Sequence, residues 1–201
     1  MNDPDLLLCA IHVALWIWFG VTWMLFRGRE AAPDGAAVEP IATTREYAAP
    51  FARLVLGFHL FGFASVYLGI AEAIFFGHVY AWLVGQRVFG AFAIAVGAAL
   101  IFWTVASFSS WRIRAKLDRG HQLATNGAFR LLRHPIYTGV NIIALGSAVW
   151  VSSTLAWCAF VLVTLGSDLR ARTEEALLKR AFGSRYTEYS RRTKRFIPGI
   201  Y

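Results

Sequence analysis

Long apolar segments constrain this sequence more than any other feature. Three of them, Leu6 to Phe26, Leu54 to Phe76 and Val88 to Ser107, are long enough for a membrane-spanning helix, which needs about 20 apolar residues. Hydrophobic residues make up 57% of the chain and charged residues only 16%. Because apolar blocks of this length exceed what soluble core helices contain, the sequence predicts an integral membrane protein.

The stretch from Ile136 to Leu169 is also apolar, but Ser152-Ser153-Thr154 interrupts it. We expect two shorter helices joined by a tight turn, with Pro135 at the start of the first. The predicted fold class is therefore all-α, with five transmembrane helices, a cytoplasmic loop and a C-terminal amphipathic helix. We interpret the 201 residues as one membrane domain, with three spans in 1–108 and the loop, hairpin and tail in 109–201.

Basic residues fall almost entirely on one side of this five-span arrangement, and Arg87 alone falls on the other. Lys and Arg are retained in the cytoplasm during insertion, so we expect the N-terminus outside and the C-terminus in the cytoplasm. In a prokaryote this would be the inner membrane. The net charge of +8 then follows from topology and from attraction to anionic membrane lipids, and the sequence contains no recognisable nucleic-acid-binding module.

Metal and disulfide chemistry find no support in the sequence pattern. Cys9 and Cys158 both fall inside predicted spans, where they are interpreted as small packing residues. The five histidines include no pair at the i, i+4 spacing that grips a metal from one helix face. The sequence therefore predicts no metal site.

The charged segment that follows the third predicted span ends at the start of the predicted hairpin. Gly120 and Asn126-Gly127 break it into a loop whose backbone can approach a ligand closely. His134 precedes Pro135 at a helix N-terminus, where free N–H groups and the helix dipole favour an anion such as a carboxylate. The alternative interpretation of Arg133-His134-Pro135 is a charged flank followed by a helix-starting proline.

The second charged segment begins where the predicted fifth span leaves the membrane. Arg170 and Glu174 are four residues apart and share one helix face, whereas Arg172 and Glu175 point elsewhere. The alternative is a surface ion pair of little energetic value. The following residues have the pattern of an amphipathic helix broken at Gly183, which we expect to pack across the loop and lie against the membrane surface.

Taken in order, the motifs from Gly120 to Pro198 resemble those of the isoprenylcysteine carboxyl methyltransferase family and its prokaryotic relatives. They are Gly-His-x-Leu, Gly-x-aromatic, Arg-His-Pro-x-Tyr-x-Gly, a helical hairpin, Arg, Glu-Glu-x-x-Leu, Phe-Gly, Tyr-x-x-Tyr and a late Pro. The resemblance implies a membrane methyltransferase that binds S-adenosylmethionine without a Rossmann domain. In agreement, the sequence has no Gly-rich fingerprint after a strand.

The resemblance also implies roles for individual residues. The implied cofactor-binding residues are His121, Gln122, Leu123, Ala124, Phe129, His134, Pro135, Ile136, Tyr137 and Glu174. Arg170 would face the methyl acceptor and form the catalytic pair with Glu174. Two positions depart from the family pattern: Phe129 stands where many members have tyrosine, and Arg172-Thr173 fills a gap where relatives often have proline.

The methyl acceptor stays open at this stage, as does the oligomeric state. A lipophilic or lipidated carboxylate, such as a prenylated cysteine, needs no general base, whereas a thiol or an amine needs one, and Glu174 is the first candidate. The alternatives are a phospholipid N-methyltransferase, a sterol-reductase-like enzyme with a nicotinamide cofactor, and a small transporter. The transporter interpretation rests on Glu72, His59 and Asn141, which are polar residues at membrane depth.

Overall fold

The computed structural model describes residues 3–26, 50–76, 84–107 and 123–201. Every regular element in these ranges is helical, so the predicted all-α class is confirmed. The helices are α1 (Asp3–Phe26), α2 (Pro50–Phe76), α3 (Val84–Ser107), α4 (Pro135–Val151), α5 (Thr154–Phe182) and α6 (Ser184–Arg192). A short 3-10 helix, Gly127–Arg130, precedes α4.

Three stretches of helix are long and apolar enough to cross a membrane: Arg53–Phe76, Val84–Ser107 and Thr154–Phe182. Two shorter apolar stretches, Leu6–Thr22 and Pro135–Val151, accompany them. These helices form a bundle suited to a membrane, and the count of five spans stays a prediction. Helix α5 turns from apolar to charged after Leu169, so we take its membrane-spanning part to end there.

The turn between α4 and α5 lies at the predicted serines. Ser152 adopts a left-handed conformation with φ of 47°, which ends α4. Ser153 then caps α5, because its hydroxyl accepts the Ala156 N–H at 3.1 Å and donates to the Gly69 carbonyl at 3.1 Å. The left-handed Ser152 ends α4 and the Ser153 cap begins α5, and together they explain the hairpin.

Helices α3 and α4 pack antiparallel through glycines spaced seven residues apart. A Cβ atom on Gly97 would lie 2.6 Å from the Gly139 carbonyl oxygen, and one on Gly90 would lie 2.7 Å from that of Gly146. The same holds in reverse from Gly139 and Gly146. Small residues let helix backbones approach closely in an apolar medium, where dispersion contacts replace hydrophobic burial as the source of association.

Helix α2 packs antiparallel against α5, with Gly69 near Ala156 at one end and His59 near Gly166 at the other. The described helices alternate in direction, so α2 and α4 begin at the end of the bundle where α3 and α5 finish. Gly127, with φ of 58°, lies in the loop before α4 and packs closely against the end of α3. A Cβ there would overlap the Ser107 side chain of α3.

Buried polar side chains join the helices inside the bundle. On α1, His12 contacts the Ser147 hydroxyl at 2.9 Å and the Tyr67 hydroxyl at 3.2 Å. These contacts anchor α1 to both α4 and α2. No local sequence pattern marks His12, because its partners lie on helices far away along the chain.

The three polar residues noted in the sequence also have partners. Glu72 accepts the Leu155 N–H at 3.2 Å and thereby caps the first turn of α5. Ser167, which is fully buried, lies 3.2 Å from His59 Nε2 and donates to Asn141 Oδ1 at 2.8 Å. His59 and Asn141 therefore link α2, α4 and α5 just below the charged end of the bundle.

Candidate active site at the charged end of the bundle

The charged part of α5 presents Arg170 and Glu174 on one face, as their spacing predicts. Arg170 Nη2 lies 3.4 Å from Glu174 Oε1. Arg172 points away, because its Nε donates to Asp168 at 2.6 Å and 60% of its side chain is exposed. The predicted division of this helix into two faces is confirmed.

Tyr137 connects this ion pair to the start of α4. Its hydroxyl donates to Glu174 Oε1, and the Arg170 guanidinium lies 5.0 Å from the centre of its ring. The His134 ring stacks on Tyr137 with a centroid distance of 5.6 Å and an interplanar angle of 7°. The structure therefore brings together four residues that the sequence predicted: His134, Tyr137, Arg170 and Glu174, called the site cluster below.

Pro135 explains why His134 and Tyr137 reach this position. It occupies the first turn of α4, where its fixed φ suits a helix start and its missing N–H costs nothing. His134 is the N-cap residue, with φ of −128° and ψ of 60°. Its ring is buried, and Nδ1 lies 3.6 Å from Glu174 Oε2.

Glu175 is the centre of a second network, which sequence analysis missed. Its carboxylate accepts hydrogen bonds from Arg133 Nε at 2.9 Å and from Arg195 at 3.0 and 2.8 Å. His134 Nε2 lies 3.3 Å away. Burial alone would raise the pKa of the Glu175 carboxyl, but the hydrogen bonds from His134, Arg195 and Arg133 outweigh burial and hold that pKa well below its usual range.

The tail after α6 lies beside the start of α4. The Arg133 N–H donates to the Lys194 carbonyl at 2.7 Å, and the His134 N–H donates to the Arg195 carbonyl at 3.1 Å. Thr138 Oγ1 donates to the Phe196 carbonyl at 3.1 Å. Tail carbonyls therefore accept from the N–H groups of Arg133 and His134, which precede the first turn of α4, and the anion expected at this helix start stays a prediction.

Arg195 fastens the tail to α5 at two levels. Besides Glu175, it donates to Asp168 Oδ1 at 3.0 Å and to the Tyr201 hydroxyl at 2.6 Å. Asp168 and Glu175 flank Arg170 and Glu174 along the helix. The tail therefore braces the segment of α5 that carries the catalytic candidates.

Helix α6 packs across the loop, as predicted for the amphipathic segment. Phe182 and Tyr186 form the buried centre of an apolar cluster, called the α6 cluster below. It also includes Leu123, Leu177, Leu178, Ala181 and Tyr189. The Tyr189 hydroxyl donates to the Phe129 carbonyl at 2.8 Å, and burial raises the pKa of Tyr189 to about 12. Tyr189 therefore stays protonated and holds the 3-10 helix in place.

The remaining predicted cofactor residues are not members of the site cluster. Leu123 belongs to the α6 cluster, while Ala124 and Ile136 are half-buried and Pro135 is fully buried. Phe129 is half-buried in the 3-10 helix. His121 and Gln122 lie outside the described residues. Within the described ranges, no group of three or more His, Cys, Asp or Glu side chains is placed to hold a metal ion.

Comparison with known proteins adds a second line of evidence. Residues 85–185 match the sequence model of a family described as phospholipid methyltransferase. This range contains α4, α5, all of α3 except its first residue, and the whole site cluster.

Three curated relatives are protein-S-isoprenylcysteine O-methyltransferases by name. The B form of Arabidopsis thaliana is 32% identical over 142 residues, which cover 68% of this chain and 71% of the relative. A probable form from Oryza sativa subsp. indica is 37% identical over 89 residues, or 44% of this chain and 47% of the relative. The Schizosaccharomyces pombe protein is 34% identical over 89 residues, 44% of this chain and 38% of the relative. The match thus spans about half the length of the rice relative.

Proposed function

Because this chain belongs to the isoprenylcysteine carboxyl methyltransferase family, whose domain is of the phospholipid methyltransferase type, we propose that it methylates a lipophilic acceptor at a membrane surface. The proposed methyl donor is S-adenosylmethionine. The observation that carries the proposal is the site cluster, in which one face of α5 and the start of α4 bring a cation, a carboxylate and two stacked rings together.

The residues of the site suit a sulfonium-bearing donor. Glu175 is already paired with Arg133 and Arg195. The Glu174 carboxylate is oriented by Tyr137 and Arg170, and its side chain remains 23% exposed. An oriented carboxylate that is partly open to solvent attracts a sulfonium cation. The donor would be held by Glu174, His134 and Tyr137, with further contacts from His121, Gln122, Leu123, Ala124, Phe129, Pro135 and Ile136.

When bound, S-adenosylmethionine supplies an electrophilic methyl group, and the chain supplies position and charge. Arg170 would bind an acceptor carboxylate through two parallel hydrogen bonds, which its planar guanidinium favours. Glu174 offsets the charge of Arg170, and Tyr137 holds Glu174 in place. Because an ionised carboxylate attacks without losing a proton, alignment is the main contribution, worth about 7 to 11 kcal/mol in ideal cases.

We propose a carboxylate acceptor, such as that of a prenylated cysteine, since the three relatives are O-methyltransferases by name and Arg170 suits an anion. A phospholipid amine is the second candidate, because the matching family is described as phospholipid methyltransferase. An amine acceptor would have to lose a proton, and Glu174 would then act as the general base.

The proposed topology has five spans with the N-terminus outside and the C-terminus in the cytoplasm. The alternating directions of the described helices support it, because they put the basic α5 and α6 segments at the end where α4 begins. The acceptor would then reach Arg170 from the membrane, and the donor would come from the cytoplasm.

The test uses the purified full-length protein in detergent or lipid nanodiscs. Calorimetry measures binding of S-adenosylhomocysteine, and transfer of a labelled methyl group is measured to farnesylated N-acetylcysteine and to phosphatidylethanolamine. Binding with transfer to the carboxylate supports the proposal. Transfer to the amine alone favours the second candidate, and absence of both binding and transfer overturns the proposed function.

A further inference from the structure

Two tyrosines on α6, three residues apart, differ in how their hydroxyl groups are satisfied. Tyr189 donates to the Phe129 carbonyl at 2.8 Å. The Tyr186 side chain is only 4% exposed, and its buried hydroxyl has no hydrogen-bond partner among the described residues. A buried hydroxyl without a partner loses its hydration and gains nothing in exchange, so such groups are rare and call for an explanation.

The surroundings of Tyr186 combine an apolar wall with nearby charges. Leu123, Phe182 and Tyr189 pack around it in the α6 cluster. The charges of Glu175 and Arg133 both act on its hydroxyl. Tyr186 therefore lies where the apolar cluster meets the network that borders His134.

The protonation state of Tyr186 makes its hydroxyl a hydrogen-bond donor. Burial, followed by the negative charge of Glu175, raises the pKa of Tyr186 well above its usual value. The hydroxyl keeps its proton at every pH at which the protein would work. It can therefore donate to a ligand oxygen or nitrogen, and it can accept as well.

We propose that the Tyr186 hydroxyl donates a hydrogen bond to the adenosyl part of the methyl donor. The inference rests on the proposed function and adds a contact that neither the site cluster nor the comparisons assign. The apolar and aromatic side chains around Tyr186 suit a purine ring. The charged surroundings of Glu174 do not suit such a ring. A nucleoside nitrogen or hydroxyl gives the buried Tyr186 hydroxyl the partner that it does not find among the described residues.

The test measures unfolding and binding separately in the full-length protein, for the wild type, Tyr186→Phe and Tyr189→Phe. Without ligand, Tyr186→Phe should unfold at the wild-type temperature or higher, because it removes an unpaired buried hydroxyl. Tyr189→Phe should unfold at a lower temperature, since it leaves the Phe129 carbonyl without its donor. For S-adenosylhomocysteine, calorimetry should show an affinity about three- to tenfold weaker in Tyr186→Phe, as expected for one neutral hydrogen bond.

A second probe locates the contact on the ligand. The compound 5′-deoxy-5′-methylthioadenosine keeps the adenosyl group and lacks the amino-acid part, and its affinity is measured by displacement of S-adenosylhomocysteine. Tyr186→Phe should weaken both ligands by the same factor. Weakening of S-adenosylhomocysteine alone, or unchanged affinity for both, overturns the inference. A wild-type protein that binds neither ligand overturns the proposed function, and the inference falls with it.

Discussion

Glu174 and Glu175 are neighbours in the sequence, yet their carboxylates have different principal partners, with the His134 ring near both. Glu174 accepts from Tyr137 and lies 3.4 Å from Arg170, whereas Glu175 accepts from Arg133 and Arg195. Consecutive residues on a helix point about 100° apart, so one carboxylate faces the site and the other faces the tail. The first suits a ligand, and the second holds together the elements that shape the site.

Arg195 should contribute to stability through the tail. Arg195→Ala removes the hydrogen bonds to Glu175 and Asp168, and we expect a loss of about 1.5 to 3 kcal/mol in the free energy of unfolding, typical of charge-assisted bonds. Arg192→Ala is the matched control, because that side chain is 73% exposed and exposed ion pairs contribute little. Equal unfolding midpoints for the two variants in detergent would contradict the bracing role.

The pH dependence of stability should carry the signature of Glu175. Its folded pKa is depressed, so its stabilisation is fully present above the ordinary carboxyl pKa of about 4.3 and is lost as pH falls through the lower folded value. Glu175→Gln should lower the free energy of unfolding at pH 7 and remove part of the decline below pH 4. Unfolding curves from pH 7 to pH 3 check this, and an unchanged acid decline in the variant would refute it.

The glycine contact between α3 and α4 should tolerate no added methyl group. Gly97→Ala places a Cβ 2.6 Å from the Gly139 carbonyl oxygen, and overpacking of this kind costs about 1 to 3 kcal/mol. Gly85→Ala, on the same helix, has nothing within 4 Å and should be neutral or slightly stabilising. Thermal unfolding of the two variants measures the difference, and similar midpoints would show that the helices can separate without cost.

Local spacing predicted much of this molecule. The hairpin turn at Ser152, the start of α4 at Pro135 and the shared face of Arg170 and Glu174 each depend on residues within four positions of one another. Helix caps and the 3.6-residue repeat are local physical rules, so a single sequence exposes them.

Contacts between distant segments were not predictable in the same way. Arg195 meets Glu175 only because Gly183 ends α5 and the tail returns beside the start of α4. His12 meets Tyr67 and Ser147 through the packing of three helices. Such contacts depend on how the helices pack against one another, and no local pattern of residues predicts that packing.

The five-span topology can be tested by labelling introduced cysteines. Cys158 is exposed, so the background must lack both native cysteines. Thr154→Cys, at the exposed start of α5, should react with an impermeant reagent from outside, and Glu188→Cys, on exposed α6, only from inside. The five-span topology places these two positions on opposite sides of the membrane. Labelling of both positions from the same side would therefore refute it.

The most direct test of the proposed site compares Arg170, Glu174 and Arg172 in one assay of binding and methyl transfer. Arg170→Ala should keep affinity for S-adenosylhomocysteine and lose transfer to a carboxylate acceptor about ten- to a hundredfold, because the acceptor loses its cation. Glu174→Gln should also weaken binding of S-adenosylmethionine, since it removes the charge that faces the sulfonium, and should weaken S-adenosylhomocysteine less, because the sulfur of that ligand is uncharged. Arg172→Ala, on the opposite face, should change neither. Loss of transfer in Arg172→Ala with full transfer in Arg170→Ala would contradict the assignment of this helix face to the active site.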